Sequence, residues 1–470
     1  MYDYSLPNGL PSGSRAVWSR LPLFPLVDGP LTPFSYSLLA EIAGRAWYQY
    51  FDRLGFDPMP RARVLRLHKG WAYINLTLSA QRDVEGAAVA PPTLRVDGQP
   101  FPICKWEKPG LLAGLKFSLA QGRIDALLKS LAGEIDEVTA RAQAWYAKVA
   151  ELRWTQAEVL QIMEEIEHIG VPSFLAFFAA GHNLTLAYNR LIQLSSESSG
   201  QPATATLIDA AVGDPGNGIE QTVHNELMGI GQAIADKAAL RAWLTQGDLA
   251  DWMQRIPDPA LLVSLQTFLA THGHRCRGEG ETQRPRWVDD PSPLFFAVLA
   301  AAEGHLQPIR AQPAQPDHLL ETISPNRRKE AQQWLQKIEP LRRLRSQALH
   351  AFAYVLAGAR RWALAAARDA MVDERLLQLD DAFFFELEQL KEMMTGEWNI
   401  SSRREIQSTA RKRRAEYAQW LDAQPSDLLV GESETLPVQH EPLPSFAAGF
   451  ANFTTIDSLE ALCAQPISAH

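Results

Sequence analysis

Apolar residues spaced three and four apart run through most of this chain, and that period commits it to helices. Leu127, Leu128, Leu131, Ile135 and Val138 fall on one helical face, and Leu152, Val159, Ile162, Met163 and Ile166 continue the pattern. The spacing predicts helices from about residue 111 to 270, interrupted by a polar break from Gly200 to Gly218. It predicts another helix over 292–304, and a long run from Pro325 to about Met371 with Leu341, Leu344, Ala348, Phe352, Val355 and Leu356 on one face. Residues 63–79, RVLRLHKGWAYINLTLS, instead alternate and contain a Lys-Gly turn, which reads as a small β-hairpin. The expected fold is mainly α: a multi-helix domain with one β-hairpin near the N-terminus.

The chain has 470 residues, 46% of them hydrophobic, with 13 Trp and 19 Phe; that is ample for a packed core. Residues 1–17 read as an extended lead-in and 18–423 as the helical domain. Within it, Thr32 or Ser35 is placed to cap a helix starting near Phe34. Residues 83–110, rich in proline, read as a loop, and RAQPAQPDH as a linker. Residues 424–446, rich in Pro and Glu, read as a second linker, and 447–470 as the start of another domain. A net charge of −9 argues against nucleic acid as the main partner. Three cysteines, Cys104, Cys276 and Cys463, offer no disulfide framework and suit a reducing cytoplasm. The most apolar run, 171–188, is interrupted by Pro172, His182 and Asn183, so no membrane span is expected.

The densest chemistry lies in Thr271–Phe295, THGHRCRGEGETQRPRWVDDPSPLF. It holds His272, His274, Arg275, Arg277, Glu279, Glu281, Arg284, Arg286, Asp289 and Asp290, punctuated by Gly273, Gly278 and Gly280 and by three prolines. A charged loop between helices is expected at the surface, either as an ion-paired bridge or as a functional element. His272, His274 and Cys276 alternate; on a strand they would share a face, as in some metal sites, but no second ligand cluster accompanies them. No metal is therefore expected, and His274 is expected to bond Glu279 or a backbone carbonyl. Ser195 and Ser196 have no His and Asp in a recognisable frame, and neither G-x-x-x-x-G-K-[ST] nor G-x-G-x-x-G occurs. Phe174, Phe177, Phe178, Tyr188, Met228, Trp243, Trp252 and Met253 could line a pocket, although such stripes are more often core.

GHRCRGE followed by PRWVDDPSPL resembles the GHRGxGE…PRWxxDPSP segment of the rifampicin phosphotransferase and phosphoenolpyruvate synthase-like proteins, with His274, Arg275, Gly278, Glu279, Pro285, Arg286, Trp287, Asp290 and Pro291 on the pattern. Cys276 and Arg277 depart from it. Pro30, Thr32, Pro33 and Ser37 are similar to the family's PGxxTPLTxS segment, and Tyr73 and Asn75 to its G-R-x-Y-x-N strand. Asp381, Phe383, Phe384, Leu387 and Leu390 resemble DPEDVFFLTLEEL, and ARKRRAEYAQWLDA the helix that follows. Arg345 matches the arginine of an R-E-x-x-K helix near the phosphoryl path, with Ser346 and Leu349 in place of the glutamate and lysine.

The resemblance implies that residues 18–423 are an acceptor-binding domain and 447–470 the remnant or start of a swivelling domain. In that family an ATP-grasp domain charges a histidine, which a swivelling domain carries to the acceptor. Neither the ATP-grasp part nor the G-G-x-x-S-H-A histidine motif is found in this sequence. The expectation is thus a substrate-binding domain or subunit that receives phosphoryl groups from separate ATP-grasp and phosphohistidine proteins. ATP and Mg are implied only for the partner, and no cofactor is expected on this chain. Expected substrate-binding residues are Arg345, His274, Arg275, Glu279, Arg286 and Trp287; no catalytic residue is assigned. The alternatives are a non-catalytic small-molecule binding protein and a truncated, inactive homologue.

Overall fold

The computed structural model describes residues 16–435 except 25, 57–60, 85–92, 97–98, 105–110, 215–217, 247–250, 307–310, 397–401, 424 and 432–433. It is mainly α-helical. Strand β1 (Val17–Ser19) and a 3-10 turn over Leu21–Leu23 lead into helix α1 (Pro33–Arg53). The expected hairpin follows as β2 (Leu65–His68) and β3 (Trp71–Asn75). Lys69 and Gly70 join them at φ 48° and 79°, the pair of positive angles that a two-residue turn needs to match strand twist. Gly70 is needed for space as well, since a Cβ there would collide with the Trp420 ring. The hairpin is shorter than the alternation suggests: Asn75 accepts a bond from Leu78 N at 3.1 Å, and this cap starts helix α2 (Leu76–Arg82).

Inside the expected 83–110 loop, β4 (Thr93–Val96) pairs antiparallel with β5 (Gln99–Pro102). Helices α3 (Leu111–Glu151) and α4 (Gln156–Ser199) are separated by a short break, after which Thr155 and Glu158 cap α4 reciprocally. The polar stretch after Gly200 contains a helix of its own, α5 (Ala205–Val212), because Thr204 accepts from Leu207 N. Then come α6 (Ile219–Gln232), α7 (Ala238–Gln246), α8 (Trp252–Arg255) and α9 (Pro259–His272). After the charged loop follow α10 (Ser292–Ala302), α11 (Pro316–Glu321), which starts within the expected linker, and α12 (Arg328–Val372). A 3-10 turn over Leu379–Phe384, α13 (Leu387–Thr395) and α14 (Arg403–Leu421) complete the helices.

Helix α12 is the axis. It packs along α4 and α3, and residues 351–360 are buried on every side, as befits a helix that is apolar all round. Small residues permit this approach. Gly358 lies so close to Trp145 of α3 that a Cβ would strike the ring, and Gly170 of α4 lies against Ile42 of α1 and Val355 of α12. A second apolar cluster gathers α6 to α10 around Phe268, Phe295 and Trp252; a third joins the end of α4 to α5, α11 and the start of α12.

Leu428–Val430, which composition assigns to a linker, is strand β6, followed by β7 (Glu434–Thr435). The sheet runs β2-β3-β1-β6-β7 with every neighbour antiparallel. Val17 pairs with Val430 and Ser19 with Leu428, so the first and last parts of the described chain meet in one sheet. Residues 447–470, expected to begin another domain, lie outside the described residues. Among the described residues, one helical stretch, Ala157–Ser199 in α4, is long and apolar enough to cross a membrane, and 72% of its apolar window is buried inside the protein.

Candidate functional site

Much of the charged loop is buried, although Asp289 and Asp290 are exposed. His272, His274, Arg275, Glu279, Glu281 and Arg286 are all buried, which a charged group tolerates only when it is paired. The Arg275 guanidinium pairs with Glu279, lies 3.8 Å from Glu220 of α6, and reaches His350 Nδ1 of α12 at 3.4 Å. Burial opposes its charge, but Glu279 and Glu220 hold its pKa above the ordinary value. Arg286 reaches the Cys276 sulfur and donates to Glu279 O at 3.0 Å. Burial pushes the Cys276 thiol up to about 11. Arg360 of α12 donates to the carbonyls of Thr282 and Gln283 at 3.0 and 2.6 Å.

Glu281 enters the start of α1. Its carboxylate accepts from Thr32 N (2.6 Å), Thr32 Oγ1 (3.0 Å), Ser35 Oγ (2.8 Å) and Gln283 N (2.7 Å). Thr32 does stand at the N-cap of α1, but neither expected cap closes on its own helix; the loop's carboxylate takes over that work at the positive helix end. Asp28 accepts from Arg277 at 2.8 Å and Arg284 at 2.6 Å around Gly278, whose φ of 59° and crowded Cβ position require glycine. Glu281 thus joins the loop to the start of α1, Arg275 joins it to α6 and α12, Arg360 holds it from α12, and Asp28 ties it to the segment before α1.

His274 does not bond Glu279, which Arg275 occupies. Its ring stacks on Tyr354 (3.5 Å between centroids, 12° between planes), and its Nε2 is buried without a hydrogen-bond partner among the described residues. Burial, then His350 and Arg275, push it well below the usual histidine range; burial and Arg275 bring His272 down to about 4. Trp287 packs on Phe268 in the second apolar cluster. Among the described residues no three His, Cys, Asp or Glu side chains come together as a metal site.

The cleft is elsewhere. It lies between α4, α2 and the 3-10 turn, has a cavity volume of about 90 Å³, and is partly open to solvent. Phe174, Phe177, Phe178, Leu23, Leu76 and Ile103 make it apolar; Asp83, His182, Asn189 and Arg345 are its principal polar points. That mixture is typical of small-molecule sites. Arg345 reaches the cleft from α12, its guanidinium 5.1 Å from the Phe177 ring centroid and its Nη2 3.5 Å from Phe24 O. Gly181 makes room for it: a Cβ there would lie 3.2 Å from Nε. Burial brings the Arg345 pKa down to about 10 against the pull of Glu220, so the group stays charged at neutral pH.

Of the six residues the sequence nominates, Arg345 lines the cleft, whereas His274, Arg275, Glu279, Arg286 and Trp287 sit in the buried loop. Of the nominated aromatics, Phe174, Phe177 and Phe178 line it; Tyr188 and Trp252 are core, Met228 and Trp243 pack within the second cluster, and Met253 is exposed. Asp83 and His182 were not nominated. No local motif marks either one, and only folding brings α2 to α4.

No curated protein matches the chain. A family model, the rifampicin phosphotransferase fourth domain, matches residues 172–371. The match begins near the start of the aromatic wall of α4, takes in His182, the whole charged loop and Arg345, and ends with α12, leaving the α2 side of the cleft outside it. Across residues 172–371 the chain therefore carries a rifampicin phosphotransferase-like domain.

Proposed function

We propose that the cleft binds the acceptor of a phosphoryl group delivered by separate proteins, an ATP-grasp component and a carrier with a phosphorylated histidine. The observation that carries this reading is a buried guanidinium, itself within the matched domain, on the wall of a mostly apolar cleft. The aromatic wall holds the acceptor's body by burial of apolar surface. Arg345 stays charged and offers paired N–H donors that suit phosphate oxygens. The loop's part is to fix α1, α6 and α12, and with α12 the position of Arg345. ATP and Mg belong to the partner, and the few, widely spaced cysteines support a cytoplasmic setting.

The test is phosphoryl transfer from ATP to candidate small molecules, with and without the two partner proteins, alongside binding of the same molecules to the chain. Binding by the chain and transfer only with the partners is the expected result. Transfer by the purified chain alone would overturn it. Arg345→Ala should lower transfer by about a hundredfold or more, as loss of one charge-stabilising group does. A second reading, a small-molecule binding protein without catalysis, is favoured by one observation: Ser346 and Leu349 stand where the family's helix has its glutamate and lysine. Here Ser346 bonds Glu220, and Leu349 is buried core. Binding without transfer in the presence of competent partners would select it.

A further inference from the structure

The same cleft holds a pair that the reading above leaves without a task. His182 Nε2 lies 2.9 Å from Asp83 Oδ1, both side chains largely buried and both on the cleft wall. The imidazole is fixed on several sides. It stacks on Phe178 (5.5 Å, 23°) and meets the edges of Tyr50 and Phe51 at 5.3 and 5.4 Å. Tyr50 is itself held by Asn183, whose Nδ2 donates to its hydroxyl at 2.9 Å. Among the described residues Nδ1 of His182 has no hydrogen-bond partner.

A carboxylate beside one ring nitrogen favours the proton on that nitrogen and leaves the other as an acceptor. An orienting carboxylate behind a fixed imidazole, facing open space, is also the geometry in which histidine takes a proton from a hydroxyl. A pair with a purely structural task would be enclosed by packing; this one borders a cleft whose other lining is mostly apolar. Arg345 lies on the same wall, against Gly181, the residue before His182. It is placed to stabilise the negative charge that grows on an oxygen losing its hydrogen.

We infer that the His182–Asp83 pair is the hydroxyl-recognising end of the cleft, with His182 accepting the hydroxyl's hydrogen and Asp83 orienting the ring. The ligand is then an apolar, hydroxyl-bearing molecule, and the hydroxyl is the group presented for reaction. This rests on the reading of the cleft as the ligand site.

Two probes of one shape test it on the full chain: 6-hydroxy-2-naphthoate and 6-methyl-2-naphthoate, titrated by calorimetry. The hydroxyl probe should bind about tenfold more tightly, the worth of one hydrogen bond in a dry site. Asp83→Asn and His182→Phe should each remove most of that preference. In the unmodified chain, the His182 ring nitrogen resonance should move with the hydroxyl probe and not with the methyl probe, a readout that needs no variant to fold. Equal affinity for the two probes, or a preference that survives both substitutions, would sink this inference and leave the binding reading intact. Failure of both probes to bind would overturn the binding reading and this inference with it.

Discussion

Glu281 serves as the cap of a helix to which it does not belong, and its burial makes the service specific. Glu281→Ala would leave the Thr32 and Gln283 amides and the Ser35 hydroxyl without their buried acceptor. The expected loss is about 3 kcal/mol in urea unfolding, more than an ordinary surface cap is worth. His350 makes a second residue-scale prediction, through pH. Burial, then Arg275 and His272, bring its pKa down to about 3 from an ordinary 6.5. The unfolded chain therefore takes up this proton as pH falls below 6.5, while the folded chain resists until about 3. Its contribution to stability is intact above 6.5 and is lost progressively as pH falls toward 3. Between pH 7 and 5 the loss is about 1–2 kcal/mol, and His350→Gln should lose correspondingly less over that interval in urea titrations at the two pH values. Thr32 was legible as a helix start because capping is local. Its partner was not, because Glu281 lies far along the chain and only the fold brings it there. Arg345, which the pattern singles out, lines the cleft, and so do His182 and Asp83, which share no pattern.

The elements read best where their cause is periodic. Leu127, Leu131, Ile135 and Val138 are buried on one face of α3, and Leu344, Ala348, Phe352 and Val355 on α12. The reading was weakest where an element is short and depends on a distant partner. Residues 204–212 lie inside a stretch, Gly200–Gly218, whose flanks are polar, yet Thr204 starts a helix whose Ile208 and Ala211 are buried against the end of α4. The charged loop deceived for a related reason: charge ordinarily means exposure, and here Asp28, Glu220, His350 and Arg360 supply the partners that permit burial. Between elements, the sharpest prediction concerns Gly358. Alanine is the better helix former by about 1 kcal/mol. At this position its methyl group would have to displace Trp145 and part α12 from α3. Gly358→Ala should therefore destabilise the protein by a net 1–3 kcal/mol, roughly, with the midpoint of urea unfolding as the measure.

At the scale of the molecule, a mainly helical fold follows from apolar period and core composition, and both are visible in the chain. The sheet that ties it together is not, since β1 and β6 are three residues each and find one another only in the folded state. Leu429 is fully buried there with Trp18 and Tyr73. Leu429→Ala should cost about 2–4 kcal/mol, despite lying in a stretch whose composition reads as linker; thermal and urea unfolding would register it. One consequence of this pairing is a matter of timing. A ribosome makes Trp18 before the helices that lie between the two strands, and its neighbour Leu429 after them. Until then one flank of β1 has no strand to meet, and its unpaired amides and carbonyls face water or whatever else comes near. The nascent chain is thus vulnerable along that edge while those helices are made, and the helical body must assemble without the clasp that later closes it.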